Sequence, residues 1–388
     1  MASPRSSSTA SSRFRPQDID VSDKHPPVRL GVVGLGGFAR FALQHFLQVP
    51  GADLVCVGGT SSDEAKHCAE RYGAPVLESA SAAMRHPDVD WVYINTPPFL
   101  HADQAREALQ NGKHVLVEKP LATRLEDARE LLDLAESKGL RLVTNLMQRY
   151  NPVVDTIRTI LQQRLLGEPL FFSVTNHAVD EGLPPDHWFW DETKSGGIFV
   201  EHGVHFFDLA AHWFGPGEVQ TAGRQCRRGD GAEDQVWCDA VHGQTVARFY
   251  HGFNQSGRTE SQRWEIVCER GQMTMEGWIP LGVQLTAIVT EAQMRTLAEL
   301  PGVVRHRTLE QYPADQRSVR AHGKMHDVFQ KVRMQIDPGV EKAELYGDLL
   351  VRLFAEQTDS QTAPRILDAN GGYDSLAMAV AASKLARA

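Results

Sequence analysis

Short apolar runs recur in the first part of the chain, at residues 30–33, 54–57, 91–94, 115–117 and 142–144. They are partly β-branched and bounded by turn residues, as buried parallel strands are. Between them the apolar spacing becomes helical. Over 38–47, Phe38, Ala42 and Phe46 share one stripe with Leu43 and Leu47 beside it, and 102–110 and 126–137 follow the same logic. Gly112 and Gly139 stand where helix C-caps belong. This alternation predicts a doubly wound α/β domain over residues 28–148.

After Asn151-Pro152 the pattern changes. A helix is predicted over 153–165, then β-rich stretches at 169–177, 219–227, 235–253, 263–267 and 273–278, with Arg270-Gly271 as a turn. The chain returns to helix at its end, including the Ala-rich 375–388. Strands in succession predict an α+β domain over 149–388 with a large, open, mostly antiparallel sheet. A chain of 388 residues is long for one core, which agrees with two domains.

Composition adds exclusions. A net charge of -9 gives no encouragement for nucleic acid or an anionic membrane. The five cysteines form no metal-type spacing, and their odd count reads as reduced thiols in a cytoplasmic protein. No apolar run approaches the roughly 20 residues of a membrane span. Residues 1–27 are rich in Ser, Arg and Pro and lack the apolar stretch of a secretory signal. They read as a disordered tail or an arm that docks on a partner subunit.

Gly34-Leu35-Gly36-Gly37-Phe38-Ala39 reads GxGxxA between a predicted strand and a predicted helix. The first glycine permits the tight turn, and the second lets backbone N–H groups approach a pyrophosphate. The small Ala39 lets the helix pack close to the strand. The surrounding βα units favour dinucleotide binding over a chance glycine turn. The second strand should end in an acid if the cofactor is NAD. Here it runs into Thr60-Ser61-Ser62, hydroxyl residues suited to a 2′-phosphate, which tilts the expectation from NAD toward NADP. Lys66 and Arg71 would add charge there, although both fit a solvated helix face.

Two further segments carry candidate chemistry. Glu118-Lys119-Pro120 ends the fourth strand, where a cation can orient a substrate hydroxyl and share its proton. Taken alone, Lys119 reads first as a surface charge. Residues 196–214 look helical, with Glu201, His205, Asp208 and His212 on a polar stripe. A carboxylate one turn from a histidine can orient the imidazole and stabilise its charged form. Taken alone, His205 reads first as part of a hydrogen-bonded core edge, and the absence of HExxH argues against zinc. Just upstream, Trp188, Phe189 and Trp190 suit either a sugar ring or a packed hinge.

In order, Gly34-x-Gly36-x-x-Ala39, Thr96-Pro97, His101, residues 112–115, Glu118-Lys119-Pro120, Arg149 and Gly196-Gly197 through Asp208 resemble the glucose–fructose oxidoreductase/inositol dehydrogenase (Gfo/Idh/MocA) family. The resemblance implies a Rossmann domain followed by an open antiparallel sheet whose face forms a homodimer or homotetramer interface. It implies an NAD(P)-dependent oxidoreductase acting on a secondary alcohol of a sugar, polyol or derivative. Lys119 and His205 would be catalytic together with Glu201, and Lys119-Pro120 would be cis. Glu118, Thr96, Pro97, His101 and Lys119 would border the cofactor with Gly34, Gly36, Gly37, Phe38, Ala39, Thr60, Ser61 and Ser62. His101 would lie near the nicotinamide. Lys119, Arg149, Trp188, Glu201 and His205 would hold the substrate. Glu201 departs from the family's usual aspartate by one methylene, so its carboxylate reaches further. Two rivals remain on this fold: a retained-cofactor enzyme that cleaves by transient oxidation, and a non-catalytic sugar or nucleotide sensor.

Overall fold

The first apolar run forms β1 (Val28–Val33), buried at every position except Arg29. Parallel strands β2 (Ala52–Gly58), β3 (Trp91–Ile94), β4 (His114–Val117) and β5 (Leu142–Thr144) join it in the order β2-β1-β3-β4-β5. Helices α1 (Gly37–Phe46) and α2 (Asp63–Arg71) cover one face. Helices α3 (Ala80–Met84), α4 (His101–Gln110) and α5 (Leu125–Lys138) cover the other. The computed structural model describes residues 27–388 except 60–61, 181, 227–228, 230, 338, 360–365 and 368–369. The expected tail thus lies outside the described residues, Pro27 apart.

The strand order reverses between β1 and β3, so their carboxyl ends diverge and open a crevice. Gly34 follows β1, Asn95-Thr96 follow β3, and Glu118-Lys119 follow β4 at that edge. Every strand predicted in this half is present. Gly112 and Gly139 take left-handed φ values of 75° and 63° past the ends of α4 and α5, as C-cap glycines do.

The second half begins with α6 (Pro152–Gln162), capped by the Asn151 side chain, which accepts from the Val153 N–H (2.9 Å). It continues through β6 (Pro169–Val179), α7 (Glu192–Ser195), a π turn over Phe199–Gly203, and α8 (Val204–Phe214). Strands β7 (Glu218–Gln225), β8 (Gln235–His242), β9 (Thr245–Gln255), β10 (Ser261–Cys268), β11 (Gly271–Glu276) and β12 (Val283–Val289) follow. After α9 (Glu291–Ala298) come β13 (Val303–Gln311), β14 (Ser318–Ala321), β15 (Lys324–Asp327) and β16 (Gln330–Ile336). Helices α10 (Lys342–Thr358) and α11 (Gly371–Arg387) close the chain. Nine strands make one sheet, β13-β16-β12-β11-β10-β6-β9-β8-β7. Only β6 and β9 pair in parallel, so the sheet is mixed and mostly antiparallel.

Helix α8 lies on this sheet through Phe206 and Phe207, which meet Trp264 and Phe249 at ring distances of 4.8 and 4.7 Å. Fully burying each such ring contributes about 1.5–3 kcal/mol. The opposite sheet face leaves Trp237 and Val246 exposed.

Three expectations need correction. The run 235–253 breaks into a hairpin at Gly243, whose φ of 60° a side-chain-bearing residue resists. The helix expected over 196–214 starts as the π turn rather than as α-helix. The packing boundary also differs from 148/149. Helix α10 returns to the first domain and stacks Phe354 on Phe46 of α1 (4.6 Å), while Gly347 lets it approach the His45 ring. This return carries Tyr346 to the crevice.

Candidate active site

A cavity of about 360 Å³ opens at the carboxyl ends of β1, β3 and β4, with lining from both halves of the chain. Its floor holds Glu118, whose Oε1 accepts from the Tyr93 hydroxyl and the Asn145 amide (both 2.7 Å). Burial raises the Glu118 pKa, and the bonds from Asn145 and Tyr93 oppose the shift.

Lys119 emerges beside it after a cis Lys119-Pro120 peptide, as the resemblance implied. Its ammonium donates to the Glu201 carboxylate (2.5 Å) and to the Glu201 carbonyl (2.8 Å). Glu201 stands within the π turn, whose i→i+5 register departs from the α-helical ladder. The ammonium meets its backbone carbonyl there.

The same turn alters the expected stripe. Glu201 faces Lys119, and Asp208 takes a forked contact from Arg149 (2.6 and 3.0 Å). The Nδ1 atom of His205 is buried without a hydrogen-bond partner, leaving Nε2 as the nitrogen that can meet a ligand. Its ring stands edge-on to Trp278 at 4.8 Å. His202 stacks flat on the same indole at 4.8 Å, and its Nε2 accepts from the Asn176 amide (2.8 Å). Burial first, then the Lys119 charge, lowers both pKa values, to about 3 for His202 and well below the ordinary range for His205. The expected imidazolium beside a carboxylate is therefore a neutral imidazole beside an ammonium.

These shifts set a pH dependence. Below the unfolded histidine pKa of about 6.5, the unfolded chain binds protons that His202, His205, His212 and His251 refuse in the fold. Stability should thus rise with pH from about 3 to about 6.5 and flatten above, which chemical denaturation across that range checks. A flat profile between pH 4 and 6.5, within about 0.5 kcal/mol, contradicts it.

The nucleotide crevice fits its expected guest. Gly34 has φ 79°, and a Cβ there would lie 2.6 Å from the Asn95 carbonyl. Above Gly37 there is no atom within 4 Å of an added Cβ, and α1 carries no side-chain cap at its N-terminus. Its first N–H groups thus face open space, the arrangement a pyrophosphate takes. Ala39 is fully buried against the sheet. Phe38 and Thr96 line the cavity, and Arg40 folds back toward the Leu35 carbonyl (3.5 Å) at the turn.

Other expected residues lie elsewhere. Thr60 and Ser61 are outside the described residues, Ser62 caps α2 by accepting from the Ala65 N–H (3.2 Å), and Lys66 pairs with Asp63 (3.1 Å). Pro97 stands one residue before the lining Pro98. His101 lies behind the wall, its two ring nitrogens against the carbonyls of Pro120 (2.7 Å) and Thr96 (2.8 Å). It holds those two loops together and does not face the cavity. Arg149 also lies outside the lining, locked on Asp208. That pair is nearly buried, so Asp208→Ala should cost about 3–5 kcal/mol, and a loss under about 1 kcal/mol in chemical denaturation contradicts it. Of the aromatic triplet only Trp188 lines the cavity, while Phe189 and Trp190 pack together at 4.6 Å as a hinge.

Gln148, His202, Trp278 and Tyr346 also line the cavity, with no motif to announce them. Both polar atoms of the Gln148 amide, and Oδ1 of Asn145, are buried without a partner in the protein. Leaving such a group unmet costs about 1–3 kcal/mol. Among the described residues no group of three or more His, Cys, Asp or Glu side chains converges to hold a metal.

Residues 28–146 match the family described as "Oxidoreductase family, NAD-binding Rossmann fold", and residues 154–274 match the GFO/IDH/MocA C-terminal domain. A dTDP-3,4-didehydro-2,6-dideoxy-alpha-D-glucose 3-reductase of Saccharopolyspora spinosa is 30% identical over 65% of this chain and 77% of its own length. The chain belongs to the Gfo/Idh/MocA family.

A second family member, scyllo-inositol 2-dehydrogenase (NAD(+)) of Bacillus subtilis (strain 168), is 29% identical over 50% of this chain, which spans 56% of that relative's length. Among solved Gfo/Idh/MocA-like folds, a 3-ketoreductase from Actinomadura kijaniata in complex with NADP and TDP-benzene superposes with a TM-score of 0.67. It is 22% identical, and the match covers 91% of this chain and 95% of that one. Levoglucosan dehydrogenase in complex with NADH and L-sorbose gives a TM-score of 0.72 at 18% identity, covering 93% and 97%. These two likenesses concern the fold. No described helix is long and apolar enough to cross a membrane.

Proposed function

We propose that this protein is an NAD(P)-dependent oxidoreductase acting on a secondary alcohol of a sugar, polyol or derivative, or on the corresponding ketone. The observation that carries the reading is that Lys119 and His205 line one cavity beside the open glycine turn, among buried polar atoms without partners. A bound nicotinamide supplies the hydride acceptor or donor there. In the oxidising direction the neutral His205 takes the hydroxyl proton on Nε2. The Lys119 ammonium donates a hydrogen bond to the same oxygen as it becomes a carbonyl oxygen. Glu201 fixes the ammonium's direction through the 2.5 Å contact, and Trp188 and Trp278 offer apolar faces to a sugar ring. Arg149 is assigned a positioning role, steadying α8 through Asp208.

NADP is favoured over NAD by the missing acid after β2 and by Arg40 at the turn. The proposal extends to assembly and location. The exposed Trp237 and Val246 favour a homodimer or homotetramer through the large sheet, and five unpaired cysteines favour the cytoplasm.

The test is to denature the purified protein, identify any released nucleotide, and then follow reduced-nicotinamide absorbance with both nucleotides against sugars and polyols. Net reduction of free nucleotide by an alcohol supports the proposal. A stoichiometric bound nucleotide with no net redox change would move the reading to elimination or glycoside cleavage. Ligand binding with no turnover of any substrate would move it to a sensor.

A further inference from the structure

Resting on the function just proposed, the charges around the cavity narrow the substrate further. The lining holds three side chains able to carry positive charge: Lys119, His202 and His205. The Lys119 ammonium has its charge countered by the Glu201 carboxylate, and two of its three N–H donors go to that carboxylate and the Glu201 carbonyl. His202 and His205 are held uncharged by burial and by that ammonium. Against them stand two carboxyl groups, Glu118 and Glu201. A phosphate entering here would meet a neutralised lysine and a carboxylate, with no free cation among the described lining residues. Like charges brought together without counter-charge are strongly disfavoured.

The other polar groups of the lining are neutral: the amides of Asn95, Asn145 and Gln148 and the hydroxyls of Thr96 and Tyr346. Such donor–acceptor pairs match hydroxyl groups, which both give and take a hydrogen bond. Size points the same way. The cavity of about 360 Å³ lies at the small end of ligand sites, and a nicotinamide ring must share it. Trp188 and Trp278 add the apolar surface that suits one sugar-sized ring.

We infer that this cavity takes a single uncharged, polyhydroxylated ring and rejects its phosphorylated and nucleotide-linked counterparts. The chain then parts in substrate chemistry from the relatives named as reductases of dTDP-linked sugars, despite 30% identity to one of them. Glu201 is the specificity-determining residue, because its carboxylate occupies the cation that an anionic substrate would need.

The experiment pairs free and charged forms of the same ring on the full chain. Free myo-inositol and D-glucose are compared with myo-inositol 1-phosphate, glucose 6-phosphate and dTDP-glucose. Binding is read by quenching of tryptophan fluorescence with nucleotide present, and turnover by nicotinamide absorbance. The expected result is at least about 100-fold weaker binding and lower kcat/KM for each charged form. In Glu201→Gln, which releases Lys119 from its counter-charge, phosphate-ester affinity should rise by about tenfold or more while turnover falls. Charged forms that bind as tightly as their free partners overturn the inference, as does failure of every free ring to bind. Selective binding of the free rings without turnover leaves the inference standing and defeats the oxidoreductase reading instead.

Discussion

Replacing Lys119 by alanine should lower kcat by about 10²–10⁴-fold while leaving nucleotide affinity within about threefold. Among the described lining residues the ammonium is the charged donor, so its loss removes the group that follows charge as it grows on the substrate oxygen. The variant also leaves the Glu201 carboxylate without its partner and the π-turn carbonyl without its donor. His205→Ala should fall in the same range, because no other lining nitrogen is placed as a neutral base with a free edge. His202 commits its Nε2 to Asn176. Steady-state kinetics with nucleotide titration checks both variants. Wild-type turnover in the two together would sink the assignment.

Gly34→Ala should abolish nucleotide binding, with an affinity loss of at least about 100-fold, and destabilise the fold by about 1–3 kcal/mol. Two causes act at one atom. The left-handed φ of 79° disfavours any side chain, and the new Cβ would press on the Asn95 carbonyl at 2.6 Å. Gly37→Ala makes the contrasting case. No protein atom lies within 4 Å of its added Cβ, so stability should hold or improve slightly. The methyl group would instead project into the space assigned to the cofactor, weakening the nucleotide by about tenfold. Thermal unfolding and a fluorescence titration with reduced nucleotide separate the two effects. Equal nucleotide affinity in Gly34→Ala and the wild type would show that the turn is not the cofactor cradle.

The first half of the chain was the more legible because each buried strand is a local apolar run, and each helix carries its own stripe. The glycine turn was legible for the same reason, since its chemistry is confined to six adjacent residues. The second half was less so. Strand β13 is exposed at almost every position, so it shows no alternation, and β12 to β16 passed unseen. The expected 235–253 strand concealed a hairpin because its turn, His242-Gly243-Gln244, lacks the usual Asn-Gly or Asp-Gly pair.

The site divides along similar lines. Lys119, His205 and Glu201, which a motif marks, line the cavity together with Trp188 of the aromatic triplet. Gln148 sits on a short turn after β5, and Trp278 lies just past the end of β11. Only the tertiary fold aims them into the cavity. Tyr346 needed the return of α10 to the first domain, a long-range contact with no local signature. The π turn was equally hidden, since the Glu201–His205 spacing reads as ordinary helix, although Glu201 meets Lys119 from within that turn. His101 shows the reverse case: a motif position whose side chain serves the wall and not the ligand.

The central claim is that a carbon-bound hydrogen of a ring alcohol passes to a nicotinamide held beside Lys119 and His205. The most direct measurement offers the protein a panel of sugars and polyols deuterated at their carbinol carbons, with NAD and NADP in turn. The reduced nucleotide is then weighed by mass spectrometry. The account predicts a nicotinamide ring one mass unit heavier with at least one alcohol, and loss of that signal in Lys119→Ala. Turnover of an alcohol by the wild type with no deuterium reaching the nicotinamide would contradict it.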